Sequence, residues 1–181
     1  MHDDMSLPEE TMWEGRYIAA KRRGRWEYVS RARNIGAAVI LAIDEGADGR
    51  HIILVEQFRA PLQTRCIELP AGLVGDDDAD ADEAPALAAA RELEEETGYH
   101  ADSMEELGRF HSSPGMVSES FVLFRARGLT KVGEGGGVEG EGITVHRVPL
   151  DGFGEWLNAR RADGYAVDVK LLTVLGPGFM A

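Results

Sequence analysis

The segment ARELEEETGY, residues 90–99, holds four carboxylates in five positions, Glu92 to Glu96 with Leu93 between them. Like charges at i, i+3 and i+4 on a helix repel by roughly a few tenths of a kcal/mol per pair. At 3.6 residues per turn, Glu92, Glu95 and Glu96 share one side, while Glu94 points away. A hard divalent cation would turn that repulsion into attraction. Mg²⁺ takes oxygen ligands in octahedral geometry, bridges to phosphates and lowers the pKa of a water; Mn²⁺ accepts the same donors. The plain alternative, a solvated glutamate face, is the commoner fate of an ExxEE helix taken alone.

The helix that must carry these groups is strongly written. Ala, Leu, Arg and Glu dominate ALAAARELEEETG, and Gly98 stands where a C-cap glycine belongs. Leu87, Ala90, Leu93 and Thr97 are expected to form its buried stripe. Upstream, residues 1–11 read as a loose tail, and residues 15–43 read as a hairpin or meander turning at Gly24. HIILVEQFRA reads as a strand, and CIELPAGLV as a short strand stopped by Pro70. Downstream, MEELGRFHSSPG and SESFVLFRARGL read as strands around a turn. Then come the glycine-rich loop 133–142, the strand ITVHRVPL and two closing helices in 151–176. Strands, helix, strands and helices without regular alternation predict an α+β fold, with a mixed sheet between helices. Cys66 reads as a small buried hydrophobe in a strand. His146, alternating with apolar residues, reads as structural. DADAD at 78–82 mimics the opening of an EF-hand. Glu83 replaces the loop glycine, however, and Ala89 the bidentate glutamate, so this is an acidic loop in which Asp82 is a weak N-cap.

Composition bounds the rest. A chain of 181 residues suits one domain with a small appendage. A net charge of -13 argues against a nucleic-acid backbone as partner and for cation-mediated binding of phosphate esters. The start MHDDMSLPEE resembles neither a secretory signal nor a transit peptide, and no apolar run approaches the roughly 20 residues needed to span a bilayer. With one cysteine and hence no internal disulfide, a cytoplasmic location is expected.

Gly72, Glu83 and Arg91-Glu92-Leu93-Glu94-Glu95-Glu96-Thr97-Gly98-Tyr99 together resemble the Nudix box, G-x5-E-x7-R-E-U-x-E-E-x-G-U, where U is bulky and apolar. Ten residues rather than five separate Gly72 from Glu83, and the extra length falls in a loop, where insertion costs little. The resemblance implies a Nudix-type α/β/α sandwich over residues 34–181, preceded by an antiparallel β region over residues 1–33. It extends to the ADP-ribose pyrophosphatase branch through ELPAG, EQFRAP, SSPGMVSES and EGEGITVHRVPL. For the site it implies Mg²⁺ held by Glu92, Glu96 and the carbonyl of Ala71. Glu95 would serve a second ion or the attacking water, and Arg91 would brace the glutamates. Glu141, with Glu139 as the neighbouring candidate, would act on the water. Arg59 would contact the phosphates, and Gly72 and Glu119 the substrate. Tyr17 and Trp26 would sandwich a base near Arg31, across a domain-swapped homodimer. The implied partner is a small nucleotide: ADP-ribose, hydrolysed to AMP and ribose 5-phosphate, or another nucleotide sugar such as GDP-mannose. A non-enzymatic nucleotide sensor is the remaining alternative.

Overall fold

The computed structural model describes residues 6–32, 36–75, 84–138 and 140–176. Its centre is the run AAVILAI in β4 (Gly36–Gly46). Val39 and Leu41 join one apolar cluster, whereas Ala38, Ile40 and Ala42 join another. Successive strand residues face opposite ways, so a strand covered on both faces reads as one apolar run. β5 (Gly49–Arg59) divides likewise, with Ile52 and Leu54 on one face and Ile53 on the other.

The strands around this pair form the expected mixed sheet. β4 runs parallel to β9 (Ser120–Lys131), which is antiparallel to β8 (Tyr99–His111). On the other side β5 pairs with β6 (Thr64–Glu68) and β10 (Thr144–Pro149). β6 pairs in parallel with β11 (Ala166–Val167), and β7 (Ala71–Val74) joins the first half of β4. Helix α1 (Pro85–Thr97) covers one face through Ala89 and Leu93. Helix α2 (Phe153–Ala162) and a 3₁₀ helix (Val169–Leu175) cover the other through Phe153, Leu157, Leu171 and Val174. The result is the α/β/α sandwich. Each fully buried side chain of this size contributes about 1.5–3 kcal/mol.

Four local expectations are corrected. The N-terminal tail is not loose beyond residue 8: β1 (Glu9–Glu14) pairs with β2 (Ile18–Arg23), which turns at Gly24 into β3 (Trp26–Arg31). Every residue of β1 is exposed, so no apolar alternation betrayed it. Ion pairs line it instead, Glu9 with Lys21 at 2.6 Å and Glu10 with Arg22 at 2.7 Å. The chain resumes pairing after Pro70 as β7. Leu87 is exposed, and the buried stripe of α1 is Ala89, Leu93, Glu96 and Thr97, with Ala88. The second closing helix is β11 and the 3₁₀ turn. Leu171 and Val174, three apart, bury together because side chains at i and i+3 eclipse in a 3₁₀ helix.

Candidate active site

Pro85 opens α1 at its first turn, and Ala84 precedes it without a side-chain cap. Asp82 and Glu83 lie outside the described residues. Gly98 closes the helix at φ 69°, its N–H donating to the Glu94 carbonyl at 2.8 Å. Between these ends the carboxylates separate as the register requires. Glu94 faces outward and meets His100 at 3.1 Å. Arg91 Nη1 donates to Glu92 and to Glu95, each at 3.1 Å, and so braces both. Glu96 is buried and accepts the Ala71 backbone N–H at 3.0 Å. Gly72 lies so close to Glu92 that a Cβ there would fall inside its carboxyl group. The glutamate helix is thus packed directly on the backbone of the ELPAG segment.

Burial pushes the Glu96 carboxyl up to about 8; the charges of Glu92 and Glu141 add to this, against the pull of the Ala71 N–H and of Arg59. Among the described residues, no three Asp, Glu, His or Cys side chains converge into a finished ligand cage. Arg91 draws Glu92 and Glu95 along the helix, while Glu96 turns to Ala71. The donors are nonetheless all oxygen, and a buried carboxylate flanked by like charges is suited to a hard divalent cation. The linkage has a definite sign. A carboxyl raised from 4.5 to about 8 contributes stability that is full below the lower value and lost as pH rises through the upper one. Metal-free protein should therefore melt at falling temperature between about pH 5 and pH 9. Mg²⁺, which needs the ionised form, should raise the melting temperature more at the alkaline end. Calorimetry with Mg²⁺ and with EDTA checks this, and a Mg²⁺ shift that shrinks with pH would contradict it.

Beside this helix opens a cleft of about 570 Å³, lined by Ala71, Gly72, Arg59, Glu68, Arg31 and Glu119 among others. Arg59 grips the buried Glu68 with two hydrogen bonds, Nε at 2.6 Å and Nη2 at 2.8 Å, which holds its guanidinium above its usual range. Arg31 Nε donates to Glu119 at 2.8 Å. The predicted Arg31, Arg59, Gly72 and Glu119 are therefore gathered at one cleft. Glu68, the first residue of ELPAG, also lines the cleft and stood outside the expected site set, because only the fold brings Arg59 to it. Asp168 and Lys170, paired at 2.5 Å, also line the cleft and carried no signal in the sequence.

Glu141 accepts the Val138 N–H at 2.9 Å, within the glycine-rich loop. Its charge reaches Glu96, as the shift above requires. Glu139 lies outside the described residues. The loop is fastened to the end of α1: Gly136 N–H donates to the Glu96 carbonyl at 2.8 Å, and Gly137 N–H to that of Glu95 at 3.0 Å. These bonds satisfy carbonyls that a helix end leaves open. Tyr17 and Trp26 are not brought together within one chain. Tyr17 lies level with Ala32 and Trp26 with Arg23, so the hairpin separates them by about 20 Å. His146 is structural, its Nε2 2.8 Å from a Glu56 oxygen and its ring edge-on to Trp156. Cys66 is buried in β6, as expected, its thiol pushed up to about 12 chiefly by desolvation.

Comparison with known proteins shows the family and the fold. The chain is 30% identical over 168 residues to the methanol dehydrogenase activator of Bacillus methanolicus, covering 89% of this chain and 86% of that one. It is 41% identical over 100 residues to the ADP-ribose pyrophosphatase of Bacillus subtilis, covering 55% and 49%. The fold is shared with a crystal structure described as an ADP compounds hydrolase, at a TM-score of 0.67 and 22% identity, over 93% and 90% of the two chains. The NUDIX domain model matches residues 32–167, a span that includes the glutamate helix, the segment it packs on and the loop fastened to its end, and the chain belongs to the Nudix family.

Proposed function

We propose that the protein is a Mg²⁺-dependent pyrophosphatase of nucleoside diphosphate sugars, with ADP-ribose as the favoured substrate. The observation that carries this reading is the packing of Glu92 and Glu96 against Gly72 and Ala71 at the lip of the cleft that holds Arg59. Glu92, Glu96 and the Ala71 carbonyl would hold the ion, with Glu95 available to a second one. A bound Mg²⁺ supplies charge withdrawal from the diphosphate and a more acidic water. The chain's own groups do the remaining work. Arg59, already oriented by Glu68, presents its guanidinium to the phosphate oxygens and offsets charge developing on them. Arg91 keeps Glu92 and Glu95 aligned. Glu141 orients a water and takes its proton as its oxygen bonds to phosphorus. The bridging P–O bond breaks, and two phosphate monoesters leave, AMP and ribose 5-phosphate for ADP-ribose.

Residues 1–33 are read as the part that engages the base and a second copy of the chain. Tyr17 and Trp26 are exposed and far apart in one chain, so a shared stack on one base calls for one aromatic from each protomer. The test is phosphatase-coupled phosphate release over ADP-ribose, GDP-mannose and other nucleotide sugars, with Mg²⁺ and with EDTA. Mg²⁺-dependent hydrolysis with the highest kcat/KM for ADP-ribose is expected. A preference for GDP-mannose would reassign the substrate. Tight binding of one compound with no hydrolysis of any would replace catalysis by sensing.

A further inference from the structure

Glu56, Arg65 and His146 form a polar group that lines no part of the cleft. Three adjacent strands supply them: Glu56 from β5, Arg65 from β6 and His146 from β10. Glu56 is buried; Arg65 Nε donates to one of its oxygens, and His146 Nε2 lies 2.8 Å from the other. Such a pair, with Glu56 buried and Arg65 partly open to solvent, gains little stability, because desolvation of the carboxylate offsets the attraction and water screens the guanidinium. What the pair does gain is a fixed guanidinium, and the rest of that guanidinium has a definite target. Arg65 Nη2 donates to the Gly142 carbonyl at 3.1 Å and meets Thr144 Oγ1 at 3.3 Å. Gly142, at φ 61°, is the residue after Glu141 and ends the glycine-rich loop.

The loop is therefore held at both ends by unlike means. Its first half is bonded to the last carbonyls of α1. Its last residue is bonded to Arg65. Between them Glu141 turns its carboxylate back onto the Val138 N–H, and its charge is felt at Glu96. We infer that Arg65, fixed by Glu56 and His146, is a positioning residue that sets where Glu141 stands relative to the glutamate helix. The inference rests on the role proposed for Glu141, but the tether itself can be tested separately. Lysine at 65 would keep a charge for Glu56, yet it lacks the planar fork that reaches Glu56 and Gly142 together.

The experiment compares Arg65→Lys, Arg65→Ala and Glu141→Gln, singly and combined, by Mg²⁺-dependent hydrolysis of ADP-ribose and by amide exchange over residues 136–143. Arg65→Lys should lower kcat about 10- to 100-fold, the scale of a modest misplacement, with KM within about twofold. It should also speed exchange in the loop while leaving α2 unchanged. In the Glu141→Gln background, Arg65→Lys should lower kcat no further, since both act through one group. Arg65→Ala should repeat these effects more strongly; if it fails to fold, Arg65→Lys decides alone. Unchanged loop exchange, or a kcat loss that multiplies with that of Glu141→Gln, would overturn the inference. Full activity of Glu141→Gln alongside faster loop exchange in Arg65→Lys would instead remove the role of Glu141 and leave the tether standing.

Discussion

Glu96→Gln should lower kcat by more than about 100-fold, since even groups one step removed from a metal ligand cost about 10- to 100-fold when lost. The same change should leave the fold intact, and at alkaline pH it should raise metal-free stability. The reason is the burial that pushes the Glu96 carboxyl up to about 8. Above that pH the native chain holds an ionised carboxylate beside Glu92 and Glu141, with only partial relief from Arg59 and the Ala71 N–H. Glutamine removes that charge and keeps an oxygen to accept the Ala71 N–H. Melting curves in EDTA at about pH 9 should place the variant above the parent. In saturating Mg²⁺ the order should reverse, because the parent alone gains the bound ion. A variant that hydrolyses ADP-ribose normally, or that keeps the parent's Mg²⁺ shift, would remove Glu96 from the metal site.

Gly72→Ala should be nearly as damaging to turnover while disturbing the fold little. Gly72 is not among the positive-φ glycines, so alanine can adopt its backbone. The nearest atoms belong to the outer part of the Glu92 side chain, its Cγ and carboxyl, which the new methyl would displace. Overpacking of this kind costs about 1–3 kcal/mol, and a side-chain end can yield at the lower figure. Glu92 would then leave the position where Arg91 holds it, and a loss of about 100-fold in kcat/KM is expected from misplacing a ligand. Melting curves and kcat/KM for ADP-ribose check this, with the melting temperature expected to fall little while turnover drops. A folded Gly72→Ala protein with near-parental kcat/KM would mean that the methyl leaves Glu92 in its working position.

The parts of this molecule that could be read from its sequence are those where one local rule governs. Helix α1 and its Gly98 end follow from composition and capping, and the outward turn of Glu94 follows from period alone. Strands β4 and β5 follow from apolar runs. The parts that could not be read depend on partners distant in the chain. β1 is made of exposed residues and is defined by its pairing with β2, whose basic residues face its acids. Glu68 becomes a site residue only once β5 brings Arg59 to it. Arg65 is an ordinary strand cation until β10 supplies His146 and the loop supplies Gly142. The separation of Tyr17 and Trp26 within one chain depends on the pairing of β2 with β3, which carries the two ends of the hairpin to one side and its turn to the other.

Two of the three tryptophans, Trp13 and Trp26, stand exposed on the N-terminal sheet, and Trp156 is half-buried on α2. The protein thus carries its indole fluorophores away from the glutamate helix. Its ultraviolet emission will be red-weighted and open to aqueous quenchers while that sheet is bare. Anything that covers the sheet, a base or a second copy, will shift the emission to the blue and shield it. An ion seated on α1 will leave the colour unchanged. Light emission and turnover would then report on the two ends of the substrate independently, with no label added.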